Sequence, residues 1–354
     1  MERTPRLTPS RARPAGASQV SRPITTEVLP QRLTEHRAAQ AWSRLALGTA
    51  EPERIEILKL RNKSAVYRLI GVGPGGGSVI AKRSRSATVS IEGTIYRDFL
   101  PDAQPQALRY YGTADEPDGE FCWLFIESAD GEGYEIRNPR HRALAGRWLG
   151  EIHRAAGRTD LATRLPRRDP DDYLERVREC RSTFLLHLEN PELRGDDLLT
   201  LREMVSYCDE LESHWDELES WCRHATRTLV HGDFAAKNVR VRSGSAGPAF
   251  LVFDWECAGW GVPAADLAQF LGRTVSPDLA AYCTALQSSF AARTLLAAMR
   301  IARCGDFFRL IDDIQWANSS LGFGPYLMLI KPMSYLQSYK GRLAALLRAA
   351  GWKA

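Results

Sequence analysis

Paired cysteines, zinc spacings, long apolar runs and a dominant charge are all missing from this sequence of 354 residues, and each absence narrows its function. The seven cysteines (Cys122, Cys180, Cys208, Cys222, Cys257, Cys283, Cys304) contain no Cys-x-x-Cys pair. An odd, scattered set reads as reduced thiols in a cytoplasmic protein, not as a disulfide framework or a metal knuckle. No stretch reaches the roughly 18 uninterrupted apolar residues of a membrane span, so no membrane partner is expected. The formal net charge is +4, and much of it comes from the arginines of the first 22 residues. Without a basic face, nucleic acid is not expected as a partner. Residues 1–30 lack the apolar run of a secretory signal, and their prolines oppose an amphipathic transit helix; a disordered tail is expected there.

What is present is apolar material, 44% of the chain, enough for two lobes. After the tail, residues 31–48 carry helical apolar spacing. The period then shortens: RIEILKL (54–60), AVYRLIGV (65–72), GSVIAKR (77–83) and FCWLFIE (121–127) read as strands. Between the third and fourth, SIEGTIYRDFL (90–100) reads as a helix with Ile91, Ile95 and Phe99 on one face. Strand, strand, strand, helix and further strand make a small α+β lobe over residues 31–127, not a βαβ array. The glycine-rich GVGPGGGSV (71–79) lacks a Gly-Lys-Ser/Thr ending and no helix follows it, so it reads as a hairpin connection. Helices dominate residues 128–354, beginning with HRALAGRWLGEIHRA (141–155). Residues 169–221 are also mainly helical, with about sixteen Asp and Glu against about five Arg and no Lys.

The stretch LVHGDFAAKNVRV (229–241) interrupts strand-like sequence with His231, Asp233, Lys237 and Asn238. A carboxylate can take a proton from a hydroxyl, and an amide oxygen five positions on can help hold a hard cation. VRV (239–241), the turn SGSAGP (243–248) and AFLVF (249–253) form a hairpin that returns Asp254 to the end where Asn238 sits. Asp233, Asn238 and Asp254 together suit phosphoryl transfer from a nucleotide with Mg2+. The first lobe should then supply a cation. Lys82, in VIAKR, is placed for that role, with Glu92, opening the next helix, as the partner that holds it extended.

HGDFAAKNV followed by VFDWECAGWGVPAADLAQF resembles the aminoglycoside phosphotransferase and choline kinase family, over about Ile55 to Leu271. The resemblance implies a protein-kinase-like α+β fold with a small antiparallel-sheet N-terminal lobe and a mainly helical C-terminal lobe. It implies an enzyme using ATP, with GTP an open alternative, and Mg2+ to phosphorylate a hydroxyl of a small molecule. Asp233 would be the base, Asn238 and Asp254 the magnesium ligands, Lys82 the phosphate-binding cation, and Asp266 the residue steadying the catalytic loop. LFIESADG (124–131) looks like the family's hinge, which implies that Ile126 borders the adenine while backbone groups of Glu127 and Ala129 bind its edge. LGEIHRA (149–155) looks like the helix before the catalytic loop.

Two departures stand out. LRNKSAVYR (60–68) has no glycine where relatives often have one or two, so Ser64 and neighbouring amides are expected to cover the phosphates. Lys237 stands where many relatives have a small or polar residue; it either reaches the transferred phosphate or an acceptor group near Asp233, or faces solvent. Only about ten residues separate Asp254 from the helix of ADLAQFL, too few for a protein kinase's activation segment, which favours a small-molecule acceptor. A nucleotide-binding pseudokinase is the alternative, although Lys82, Asp233, Asn238 and Asp254 are all retained. The acidic stretch suits a cationic acceptor, such as an aminoglycoside, another basic antibiotic or an amino alcohol, or is a solvated helical face. Trp215, Trp221, Trp260 and Trp316 are candidates for an aromatic box, and Asp312 and Asp313 for acceptor contacts.

Overall fold

The computed structural model describes residues 26–28, 32–45, 51–61, 63–245, 247–269, 272–286 and 295–353. The first lobe runs β1 (Thr26–Glu27), α1 (Arg37–Ser43), β2 (Arg54–Arg61), β3 (Ser64–Ile70), β4 (Val79–Arg85), α2 (Ser86–Asp98), α3 (Leu100–Ala103), β5 (Tyr110–Asp115) and β6 (Phe121–Glu127). The second runs β7 (Glu132–Gly133), α4 (Pro139–Ala156), β8 (Arg167–Arg168), α5 (Pro170–His187), α6 (Gly195–Ser213), α7 (Trp215–Ser220), β9 (Thr228–Val230), β10 (Val239–Arg242) and β11 (Ala249–Val252). It ends with β12 (Gly259–Gly261), α8 (Ala264–Leu267), α9 (Leu279–Leu286), α10 (Leu295–Asn318) and α11 (Tyr326–Ala350). The fold is therefore α+β, with an antiparallel sheet in the first lobe and helices making up most of the second.

Strand β6 shows how the first lobe is built. Successive side chains of a strand alternate between faces. Cys122, Leu124 and Ile126 join the main core with Ile95 and Tyr96 of α2, while Trp123 and Phe125 join a second core with Ala38 and Trp42 of α1. Covering both faces suits the unbroken apolar run FCWLFI, and burying a side chain such as Phe125 contributes about 1.5–3 kcal/mol relative to exposure. The strand order is β1-β2-β3-β4-β6-β5, with antiparallel neighbours throughout. The glycine-rich segment joins β3 to β4, its antiparallel neighbour, as a hairpin connection.

Two boundaries differ from expectation. Thr26–Glu27 pairs with Ile57 and Glu56, inside the segment expected to be a tail, because even a short strand can cover part of the β2 edge. The other residues of 1–30, apart from Val28, lie outside the described residues. Helix α2 begins at Ser86, since Val89 adds a buried turn to its core face, so Glu92 lies in the second turn and does not open the helix.

In the second lobe, α4 starts at Pro139 because Asn138 caps it, accepting from the Arg140 and His141 amides. Two small sheets, β11-β10-β7 and β8-β12-β9, are joined by the segments 231–238, from β9 to β10, and 253–258, from β11 to β12. Helix α10 lies against α8, and the close approach depends on Gly305: a Cβ there would come within 1.8 Å of the Ala264 carbonyl oxygen. No helix among the described residues is long and apolar enough to cross a membrane.

Candidate active site

The loop from His231 to Asn238 is held from several directions. Asp266, in α8, accepts the His231 amide at 2.6 Å and the Gly232 amide at 3.0 Å. This is the steadying role expected of it. Gly232 has φ +77° and packs so tightly that a Cβ would meet the Cys257 carbonyl oxygen at 2.3 Å, which excludes any larger residue. His231 is buried, and burial lowers its pKa, so its ring is neutral. Its Nδ1 accepts from the Asp233 amide and its Nε2 faces the Phe253 carbonyl, which assigns the proton to Nε2.

Asp233 has three donors. Asn238 Nδ2 donates to its Oδ2 at 3.0 Å, Lys237 Nζ lies 2.8 Å from the same oxygen, and Arg309 Nη2 donates to Oδ1 at 2.9 Å. Burial acts to raise the Asp233 pKa, but Arg309 and Lys237 outweigh it and hold the carboxylate ionised. Lys237 is therefore an ion-pair partner of Asp233 and not simply a solvent-facing residue, although its side chain remains 57% exposed.

The hairpin closes as expected. Val239 pairs with Val252, the Phe253 amide donates to the Asn238 carbonyl, and Asp254 follows in a left-handed conformation, φ 68° and ψ 60°. A non-glycine residue held there carries strain, as functional residues often do. Across the cleft, β4 alternates so that Val79 and Ala81 face the α1 core while Ile80 and Lys82 face α2. Lys82 Nζ lies 2.9 Å from Glu92 Oε2 and 3.0 Å from Glu256 Oε2, and it donates to Asp254 Oδ1. Burial alone would lower the lysine's pKa; the three carboxylates outweigh it and keep the ammonium charged.

One ammonium faces three carboxylates, a formal local balance of minus two that burial moderates by lifting the Glu92 carboxyl to about 7. Asn238 spends its amide nitrogen on the Asp233 carbonyl and carboxylate, and its Oδ1 has no donor among the described residues. An oxygen-rich, negatively unbalanced set of this kind fits a hard divalent cation held by Asn238 and Asp254.

The remaining expected residues are placed as follows. Ile126 is buried at the end of β6. The Glu127 amide donates to the Arg109 carbonyl at 2.8 Å and its carboxylate binds Arg242, so its amide is already engaged. The Ala129 amide has no acceptor among the described residues. Ser64 opens β3 opposite Arg61, half-buried. The aromatic box does not assemble: Trp215 stacks on Phe308, Trp221 on Trp352, and Trp316 meets Tyr335 edge-on, while Trp260 sits in β12. Trp215 is buried, Trp221 and Trp260 are part-buried and Trp316 is 44% exposed, each against separate neighbours. The acidic stretch is largely satisfied internally. Asp169, Glu203, Asp209 and Glu212 hold Arg227, Lys340, Arg181 and Arg178, and the Asp172 and Asp197 carboxylates accept the amides that open α5 and α6. Asp312 is taken by Arg176 and Arg168.

Sequence reasoning missed Glu256 and Arg309. Glu256 stood within the quoted Asp-Trp-Glu but received no role. Arg309 is a cation inside the buried run FFRLI (307–311), and a charge on the core side of a helix was the available signal.

Two lobes of this architecture, with the Lys82 cluster and the Asp233 loop facing one cleft, define the class as a kinase-like phosphotransferase fold. Residues 55–303 match the profile of APH, the phosphotransferase enzyme family, and the chain belongs to that family. No curated protein sequence matches it. Among solved structures, spectinomycin phosphotransferase in complex with ADP and spectinomycin is 12% identical with a TM-score of 0.60, over 87% of this chain and 97% of that one. Aminoglycoside 2′-phosphotransferase-IIIa with GDP is 13% identical, TM-score 0.56, over 86% and 99%. Choline kinase from Cryptosporidium parvum Iowa II is 14% identical, TM-score 0.52, over 84% and 91%. At such identities the likeness is one of fold.

Proposed function

We propose that this protein transfers the terminal phosphoryl group of ATP, with Mg2+, to a hydroxyl of a small cationic molecule. The observation that carries the reading is the Lys82–Glu92–Asp254–Glu256 cluster, short of positive charge, beside the donor-held Asp233. Bound magnesium would neutralise phosphate charge and orient the terminal phosphoryl group. Asn238 and Asp254 would hold it, Lys82 would bind phosphate oxygens, and the free Ala129 amide with the Glu127 backbone would bind the adenine edge beside Ile126.

Asp233 would accept the hydroxyl's hydrogen bond and receive its proton late in the transfer. A carboxylate offers about four lone-pair sites, two on each oxygen. Oδ2 already has two donors and Oδ1 only Arg309, so the open site is on Oδ1. Because Arg309 and Lys237 lower its pKa, Asp233 is a weak base, which suits a reaction governed by positioning. General-base help contributes about 10²–10⁴-fold, so the charge cluster must supply most of the acceleration.

The cationic acceptor is supported by Asp313. It lies one helical turn beyond Arg309 on α10, with no ion pair or hydrogen bond among the described residues, and burial raises its pKa even though the charges of Arg309 and Arg342 act against the rise. An acceptor ammonium would satisfy it. Solved structures of the same fold include a choline kinase, an ethanolamine kinase and an aminoglycoside 2′-phosphotransferase, which agrees with that class. The test is ATP consumption by purified protein across amines, amino sugars and hydroxy amino acids, with Asp233→Asn as the blank. Magnesium-dependent turnover that the blank lacks is expected; equal turnover in the blank removes Asp233 from its role.

A further inference from the structure

The nucleotide reading leaves the phosphate cover unexplained, because the β2–β3 turn has no glycine and the Ser64 hydroxyl makes no hydrogen bond with the described residues. The sheet register supplies another group. β2 pairs with β3 as Ile57 opposite Tyr67 and then Lys59 opposite Val66, so Leu58 is an extra residue, a β-bulge. Without the bulge, two-residue alternation would put Lys59 on the face of Ile55, toward the α1 core. With it, Lys59 faces Val66, Val66 faces Lys82, and Lys82 faces Leu124. Residues directly opposite one another across antiparallel strands share a face. These four therefore form one row on the side of the sheet turned to α2 and the cleft.

At about 4.8 Å between strands, Lys59 and Lys82 start roughly 10 Å apart with only a valine between them, a span that a phosphate tail can bridge. Lys59 is half-buried and makes no ion pair or hydrogen bond among the described residues. Its charge also acts on Asp254, the expected metal ligand across the cleft. Bulges and lysines also protect exposed strand edges, and β2 is an edge beyond the two residues that β1 covers. An edge-protecting lysine belongs in solvent, however, whereas this one lies on the cleft face.

We propose that Lys59, brought onto the cleft face by the Leu58 bulge, binds the phosphate tail of the nucleotide alongside Lys82, in place of a glycine-rich cover. This rests on the nucleotide reading above. Titration calorimetry of the full chain with ATP, ADP and adenosine in Mg2+ tests it. For Lys59→Ala, ATP affinity should fall about tenfold, the worth of one lost charge-assisted contact, while adenosine affinity stays within twofold. Lys59→Arg should keep most of the ATP affinity. Unchanged ATP binding in Lys59→Ala, or equal losses for ATP and adenosine, overturns the proposal. Should Lys59→Ala not fold, Lys59→Gln carries the same comparison, and failure of both shows a structural lysine and overturns it too. If the wild-type chain binds no nucleotide, the phosphotransferase reading itself falls, a result distinct from a silent Lys59.

Discussion

Replacing Arg309 by Met would remove the guanidinium that, among the described residues, joins α10 to the catalytic loop. Its side chain is 8% exposed, and it donates to Asp233 Oδ1 at 2.9 Å and to the Gly232 carbonyl. Hydrogen bonds involving a charged group contribute about 1.5–3 kcal/mol each, and water cannot replace them at this burial. Against that, removing the cation relieves its desolvation, and Asp233 keeps Lys237 and Asn238. The balance is a loss of about 2–3 kcal/mol at pH 7, and a fall of several degrees in Tm for a chain of this size. The pH dependence has a definite sign. Burial pushes the Asp233 carboxyl up, but Arg309 and Lys237 outweigh it, so its folded pKa is depressed. Such a group contributes stability above its unfolded value of about 3.9 that is lost as pH falls through the lower folded value. The gap between wild type and Arg309→Met should therefore be full at pH 7 and 5 and narrow below about pH 4. Urea unfolding followed by tryptophan fluorescence measures it. A gap under about 1 kcal/mol at pH 7, or one that widens toward acid, would refute the reasoning.

Other sites give independent checks. Burial lifts the Asp306 carboxyl to about 7, against the help of the Gln269 amide, so the folded state takes up a proton that the unfolded state releases. Stability from this group falls as pH rises from about 4 to 7, and Asp306→Asn should stabilise the protein by at least about 1 kcal/mol at pH 8 with a much smaller effect at pH 5, read from Tm. Gly305→Ala places a methyl 1.8 Å from the Ala264 carbonyl oxygen, so it should cost about 1–3 kcal/mol or more and lower kcat by shifting α10; a wild-type Tm would contradict that packing. Lys237→Ala, at a half-exposed position, should change stability by under about 1 kcal/mol yet lower kcat; steady-state kinetics with both constants unchanged would reduce Lys237 to a loop ion pair. Asp313→Asn should raise KM for a cationic acceptor with little effect on that for ATP, and an unchanged acceptor KM would remove it from the site.

Most of the fold was legible where the period of the apolar residues is unambiguous. FCWLFIE read as a strand and HRALAGRWLGEIHRA as a helix, and both are observed; that FCWLFIE is covered on both faces is visible only in the structure. The hairpin that returns Asp254 to Asn238 followed from leg lengths alone, and Val239 does pair with Val252. Lys82 and Glu92 meet although the helix start was misplaced, because a helix turn more or less at the N-terminus leaves the later positions unmoved. Long-range partners were not legible. Arg309 reaches Asp233 across 76 positions, and nothing local marks which face of α10 meets the loop. The acidic stretch stayed ambiguous between an acceptor site and a solvated face for a related reason. Composition reports carboxylates but not the arginines and lysine on neighbouring helices that satisfy them. The Leu58 bulge is similarly silent, since register belongs to a pair of strands and not to either one.

The central claim is that the Asp233 loop and the Lys82 cluster together move a phosphoryl group. Phosphorus NMR of ATP, Mg2+ and an acceptor identified from the panel tests it most directly, comparing wild type with Asp254→Ala. A new phosphate-ester resonance in wild type, absent without Mg2+ and absent in Asp254→Ala, is the predicted result. Nucleotide binding with no ester formed, or an ester formed equally by Asp254→Ala, would contradict it.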